Sequence, residues 1–279
     1  MIEVLSAGLV TTLQDRGRFG SRSMGVPVSG TMDGHSAMLA NALVRNASEA
    51  AVLECVLMGP KLFFDENALI AVTGAHFQPT IDGKPIALNK SIKVSRGSTL
   101  NVGSAVKGMY GYISIQGGFV SEIVLGSQSF YKGITKKAAL EKGDVLKFNS
   151  SSIFSEALKT NLQPLDFNQH IVEVIAGPEF NKLSKFQQHL VLKSAYKIAP
   201  QSNRMAIVFE DKRGVGVSEI LTAPVQPGTV QITPSGKLII LMRDAQTTGG
   251  YGRIFQLTEA AIHLLSQQRP GFLISLKLI

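Results

Sequence analysis

No apolar run in this chain is longer than a β-strand. The longest, such as Leu238-Ile239-Ile240-Leu241-Met242, stop after a few residues, and Gly, Pro, Asn and Asp punctuate the intervals. A sequence cut this often cannot hold many long helices, whose apolar spacing has to persist over several turns. It reads as short strands at 51–57, 69–72, 91–94, 99–102, 111–115 and 145–148, and again at 171–175, 206–209, 229–232, 237–242 and 272–278. Ile81-Asp82-Gly83-Lys84 carries the Asp-Gly pair of a type I′ hairpin, in which both central residues take positive φ. Many short strands with few helices favour barrels, which leave no strand edge exposed. The fold class expected is mainly β.

Three helices interrupt the strands. Asp33 is placed to cap one that runs to about Val44, with Leu39, Ala40, Leu43 and Val44 on one face and Asn46 just beyond its end. Phe180, Leu183, Phe186 and Leu190 are spaced for a second. Thr258 caps a third, which Arg269-Pro270-Gly271 ends. Val56-Leu57-Met58-Gly59-Pro60 and Val174-Ile175-Ala176-Gly177-Pro178 echo one another, and each is followed later by a basic turn, Arg96-Gly97 and Arg269-Pro270-Gly271. The echo predicts two related β-rich units, 1–155 and 156–279, divided within the polar linker 149–168, with the N-terminal strand free to cross into the second.

With 279 residues, 44% of them hydrophobic and 17% charged, the chain has material for a sizeable core and no compositional mark of disorder. No run approaches the roughly 20 apolar residues of a membrane helix. Met1-Ile2-Glu3 opens no signal-peptide pattern, and the single Cys55 excludes internal disulfides and fits a reducing compartment. A cytoplasmic protein without a membrane partner is expected. The net charge of +8 is diffuse: its densest run, 132–147, is interleaved with Glu141 and Asp144, and no nucleic-acid motif accompanies it. An acidic protein or an anionic small molecule accounts for such a field equally well, so no nucleic-acid partner is expected.

Several chemistries are excluded by motif. There is no phosphate loop of the Gly-x-x-x-x-Gly-Lys-Ser/Thr kind, no Gly-x-Ser-x-Gly elbow, and no metal-ligand spacing among the five histidines, so no metal is expected. Gly249-Gly250-Tyr251-Gly252 reads as a turn between a strand and a helix. What remains is a dense mixture of polar side chains and glycine at 8–20 and 25–33, and a second at 243–251. Their separation in sequence predicts one polar cleft assembled from both ends of the chain.

Gln14 and Gln246 each offer donors and an acceptor that match an amide, lactam or ureido group. Asp15, Asp33, Glu54 and Asp244 could act as a base or orient donors, and Arg18, Arg204 and Arg243 could grip a carboxylate or a developing oxyanion. Each has a plainer reading beside it. Asp33 sits at an N-cap position, Thr11-Thr12 and Thr247-Thr248 suit strand pairing, and Arg18 suits a turn cap. Glu54, in an apolar strand, requires a buried partner whether it is catalytic or structural.

Four motifs carry a resemblance. Gly-Leu-x-Thr-Thr-x-Gln-Asp-x-Gly-Arg from Gly8, Gly-Val-Pro-x-Ser-Gly-x-Met-Asp from Gly25, Leu-Glu-x-x-x-x-Gly-Pro from Leu53 and Asp-x-Gln-Thr-Thr-Gly-Gly-Tyr from Asp244 resemble a biotin-dependent carboxyltransferase family. That family includes the C-type subunit of 5-oxoprolinase, allophanate hydrolase subunit 2-like proteins and the Kip-type (KipA-like) antagonist of a kinase inhibitor. The resemblance spans nearly the whole chain. It implies two cyclophilin-like β-barrel units with a few short helices. It also implies two partner proteins, one KipI-like and one LamB/YcsF-like.

The activity implied is hydrolysis of the lactam of 5-oxoproline to L-glutamate, with ATP used by the complex and no cofactor bound by this chain. The alternatives are a carboxyltransferase acting on urea or allophanate-type substrates with biotin supplied in trans, and a non-catalytic antagonist of a kinase inhibitor. Carried over by motif, the catalytic set is Gln14, Asp15, Asp33, Glu54 and Asp244, with acid and base unassigned among them. The substrate-binding set is Arg18, Ser29, Arg204, Gln246, Thr247, Thr248 and Tyr251. Three positions that are commonly charged in the family are neutral here: Gln128, Asn203 and Ala245, with Gly252 where a proline is common. If the missing charges serve to bind an anionic substrate or carboxybiotin, those changes predict a different substrate or weak activity.

Overall fold

The computed structural model describes residues 1–149, 160–212 and 214–279, and the expected boundary at 155/156 lies outside them. The chain forms two compact units, Met1–Phe19 with Ser29–Leu165, and Gly20–Val28 with Asp166–Ile279. The short segment Gly20–Val28 therefore belongs to the second unit although its sequence neighbours on both sides belong to the first. Among the described residues strands hold 37% and helices 12%, and the strands include a nearly closed barrel sheet, so the mainly β class is the one observed.

The first unit has two antiparallel sheets. One runs in the order Phe119–Val120, Val145–Phe148, Ile2–Ser6, Lys61–Phe64, Thr99–Asn101, Thr80–Ile81, Lys84–Pro85. The other runs Thr11–Gln14, Val52–Val56, Lys107–Ile115, Ala68–His76, Ser91–Val94. Ile2 and Val4 point into the core while Glu3 faces out, the alternation of a strand covered on one side. Ala68–His76 is instead buried at every residue but its last. One of its faces meets the main core at Ile70 and Val72, and the other lies under helix α1, Gly34–Leu43, at Leu69 and Ala71.

Local signals acted as their chemistry requires. Asp33 caps α1 by accepting from Ser36 N at 3.0 Å, and the expected apolar face of Leu39, Ala40, Leu43 and Val44 is buried. Asn46, past the helix end, donates to Ile115 O at 2.7 Å and ties the exit to the sheet. Asp82 and Gly83 take φ of +50° and +78°, as the hairpin between Thr80–Ile81 and Lys84–Pro85 requires.

In the second unit the sheet order is Ala195–Lys197, Leu273–Leu278, Ile171–Ala176, Gly252–Leu257, Thr229–Ile232, Lys237–Leu241, Ala206–Lys212. Its pairs are antiparallel except Ile171–Ala176 with Leu273–Leu278. A small ribbon pairs Ala223–Pro224 with Thr248–Gly249. The helix expected across 180–190 is divided. Phe180–Lys182 is a 3-10 turn, and α2 is Lys185–Lys193, started by a capping box between Ser184 and Gln187. The third helix, α3, is Glu259–Ser266, capped by Thr258 as expected. The Gly249–Gly252 turn leads from one strand into another rather than into a helix. Among the described residues no helix is long and apolar enough to cross a membrane.

Candidate functional site

The N-terminal motif is bound tightly into the first unit. Gln14 is fully buried, donates to Thr12 Oγ1 and Phe130 O at 3.0 and 3.2 Å, and accepts from Gly30 N at 3.1 Å. Asp15 accepts from Gly17 N, Ser127 Oγ and Ser129 Oγ through Oδ1 (2.8, 2.7 and 2.6 Å) and from Gln128 N through Oδ2 (2.7 Å). Arg18, also fully buried, donates to Val124 O and Ser129 O at 3.0 and 2.7 Å. These three residues fasten the segment 124–130 to the N-terminal motif.

Behind them lies a second buried network. Glu54 is the cross-strand partner of both Thr12 and Tyr112. Its Oε2 accepts from Met32 N at 2.7 Å and from Tyr112 Oη at 2.9 Å. Tyr112 Oη in turn accepts from Asp33 N at 2.7 Å. Burial, reinforced by the carboxylates of Glu54 and Asp33, holds the Tyr112 phenol well above its ordinary value, so it remains a donor. Burial likewise pushes the Cys55 thiol up to about 12, which leaves it an inert core residue at neutral pH.

Ser29 differs from its neighbours. It is fully buried at φ +56°, an uncommon conformation for a side-chain-bearing residue, and its hydroxyl has no hydrogen-bond partner among the described residues. The following Gly30 has to be glycine, because a Cβ there would lie 2.9 Å from the Arg16 carbonyl.

The C-terminal motif lies in the second unit and has the opposite character. Arg204 and Asp244 hold each other in a two-pronged pair (2.7 and 3.0 Å), reinforced by Asp244 N donating to Arg204 O. Arg243 pairs with Glu259 at the start of α3. Beyond these, no side-chain hydrogen bond engages Gln246, Thr247, Thr248 or the Tyr251 hydroxyl among the described residues, and Gln246 Oε1 is a buried acceptor without a donor. Thr247 O accepts from Val225 N, which sets this strand beside a pocket.

That pocket, of about 270 Å³, is lined by residues of the second unit, among them Arg22, Gly177, Pro224, Arg253, Phe255 and Gln256. Arg253 is clamped by Glu179, which accepts from its Nε, Nη2 and backbone N, each at 2.9 Å. This pairing pulls the Glu179 carboxyl below its ordinary range. Among the described residues no group of three or more His, Cys, Asp or Glu is placed to hold a metal ion.

The carboxyltransferase domain family, subdomain A and B, matches residues 24–278. The chain belongs to this carboxyltransferase family. The C-type subunit of 5-oxoprolinase from Haemophilus influenzae is 32% identical over 97% of this chain and 89% of that protein. The crystal structure of TTHA0988 superposes with a TM-score of 0.90 at 28% identity, covering 99% of this chain. The urea amidolyase of K. lactis superposes at 0.87, also at 28% identity and 99% coverage. This chain spans about half of TTHA0988 (55%) and 18% of the urea amidolyase.

The neutral residues at commonly charged carboxyltransferase positions have local explanations. Asn203 accepts through Oδ1 from Met205 N and Ala206 N, a turn role that an aspartate would also fill. Gln128 donates to Phe119 O and Ser121 Oγ. Ala245 is buried in an apolar cluster with Val225 and Leu241. Restoring arginine is therefore an informative test of anion preference at 128 but not at 245. Ala245→Arg is expected to lower stability by about 1–3 kcal/mol through overpacking, whatever it does to ligands. Urea unfolding measures this, and an unchanged midpoint would refute it.

Sequence reasoning missed Tyr112, Glu179, Arg253 and Arg22. Their partners stand far off in sequence, except that Arg22 lies between the two halves of the N-terminal motif and could have been flagged by that position.

Proposed function

We propose that this chain is the C-type subunit of a cytoplasmic ATP-dependent 5-oxoprolinase, whose complex opens the lactam of 5-oxoproline with water to give L-glutamate. What carries the reading is the 32% identity with the Haemophilus influenzae protein over 97% of this chain and 89% of that one. A match spanning most of both chains concerns the whole protein rather than a shared module. A KipI-like partner and a LamB/YcsF-like partner complete the enzyme. ATP is handled by a partner, in keeping with the lack of a phosphate loop here.

In this reading Gln14, Asp15 and Arg18 hold the segment 124–130 in position, and Asp33 and Glu54 fix the turn that carries Ser29. Arg204 and Asp244 brace the C-terminal motif. In the second unit, the side chains of Gln246, Thr247, Thr248 and Tyr251 are uncommitted among the described residues and are those available to an amide-like substrate. A second reading, carboxyl transfer with biotin brought by a partner, is supported by the likeness to the K. lactis urea amidolyase at a TM-score of 0.87.

Co-expression with the KipI-like and LamB/YcsF-like partners should give ATP-dependent glutamate release from 5-oxoproline, absent when any one of the three proteins is omitted. A stable complete complex that releases no glutamate would overturn the first reading. Carboxyl transfer from carboxybiotin by that complex would favour the second. A stable pair with the KipI-like partner that turns over neither substrate would leave a non-catalytic antagonist of a kinase inhibitor.

A further inference from the structure

The pocket of the second unit contains one charged group with nothing to bind. Arg22 stands in the 3-10 turn Arg22–Met24 and is partly buried. Among the described residues no hydrogen bond or ion pair engages its guanidinium. The other polar groups of the wall, Gln226 at the rim apart, are committed. Arg253 serves Glu179 and donates through Nη1 to Pro224 O at 3.1 Å. Thr229 Oγ1 donates to Gln256 Oε1 and accepts from Gln226 N. Gln256 Nε2 donates to Pro227 O.

Counting Arg22, Arg253 and Glu179, the pocket and its bracing carry one net positive charge. A half-exposed guanidinium is stabilised by a planar anion that takes two of its donors at once. The wall around it mixes polar groups with apolar surface at Ala176 and Pro178, over the buried Phe255. At about 270 Å³ the cavity is just below the usual range for drug-sized ligands and suits a compact one. At the rim, Gln226 is exposed, and no hydrogen bond engages its side-chain amide among the described residues. It offers the donor and acceptor that a lactam would match.

We infer that this pocket binds a small ring-bearing monocarboxylate, its carboxylate on Arg22 and its ring against Pro178 and Ala176. The choice of 5-oxoproline as the ring rests on the 5-oxoprolinase reading; the carboxylate grip does not.

The test is isothermal titration of the whole chain, alone and in its complex with the KipI-like partner. L-5-oxoproline is the probe, and 2-pyrrolidinone, which lacks the carboxylate, is its comparison. Wild type should bind 5-oxoproline and discriminate against 2-pyrrolidinone by roughly 10- to 100-fold, the value of a charge-assisted hydrogen-bonded pair. Arg22→Ala should erase that discrimination without moving the unfolding midpoint, Arg22→Lys should restore part of it, and Arg96→Ala, on an exposed turn, should change nothing. Equal binding of both probes, unaltered affinity in Arg22→Ala, or no binding by wild type in either form would overturn the inference. Arg22-dependent binding in a complex that releases no glutamate would sink the functional reading and keep the site. Normal turnover by the Arg22→Ala complex would do the reverse.

Discussion

Glu54→Ala is expected to destabilise the first unit by about 2–5 kcal/mol, among the larger effects available to a single substitution in this chain. Glu54 is 2% exposed, and its Oε2 is the acceptor for both Met32 N–H and the Tyr112 hydroxyl. Removing it leaves two buried donors without that acceptor, each costing about 1–3 kcal/mol of desolvation. It also loosens the backbone at Met32-Asp33, where α1 begins. Glu54→Gln keeps an acceptor oxygen and should recover most of the loss. Denaturant unfolding of the three proteins measures this directly, and an alanine variant within about 1 kcal/mol of wild type would refute it. The glutamine variant also separates a structural from a catalytic carboxylate. A folded Glu54→Gln protein whose complex has lost turnover needs the charge for chemistry. One with normal turnover needs only the acceptor.

This network also marks the limit of what the sequence could convey. A carboxylate inside the apolar strand Val52–Val56 signals that a partner must exist. Which partner depends on the pairing of that strand with Lys107–Ile115, which brings Tyr112 opposite Glu54. Features decided within a few residues were legible: the Asp33 and Thr258 caps, the Asp82-Gly83 turn, and strands such as Ser91–Val94 and Val145–Phe148. Even there a competing local signal was overlooked, since Ser184 and Gln187 form a capping box that starts α2 later than its apolar spacing suggested.

Strand order was not legible. Ile2–Ser6 lies between Val145–Phe148 and Lys61–Phe64, a matter of pairings across most of the first unit. The candidate site follows the same division. Composition alone marked 8–33 and 243–251 as polar and glycine-rich. Yet Asp15 is occupied by Ser127, Gln128 and Ser129, more than a hundred positions away, whereas the side chains of Gln246, Thr247 and Thr248 are left open among the described residues. Residue type announces the capacity to hydrogen-bond, and only the fold determines which groups have that capacity unused.

The second large effect is expected at Glu179, where alanine should cost the second unit about 2–4 kcal/mol. Glu179 is 7% exposed and receives three hydrogen bonds from Arg253, two from the guanidinium and one from the backbone. It fixes the start of Gly252–Leu257 against Gly177, where a Cβ would lie 2.3 Å from Arg253 O and only glycine allows the approach. Without the carboxylate, a guanidinium 20% exposed keeps only Pro224 O among the described residues. The sign of the pH dependence follows from the direction of the shift. The Glu179 carboxyl is lowered from 4.5, chiefly by its hydrogen bond from Arg253, so the folded form releases its proton more readily than the unfolded one. Its contribution is fully present above pH 4.5 and is lost as pH falls through the lower folded value. Protection against hydrogen exchange in Gly252–Leu257, taken relative to the intrinsic rate at each pH, should therefore fall on acidification below that point in wild type. In Glu179→Gln the protection should already be lower at neutral pH and show a flatter acid limb. An acid limb of the same slope in both proteins would mean that other carboxylates govern the acid stability of this unit.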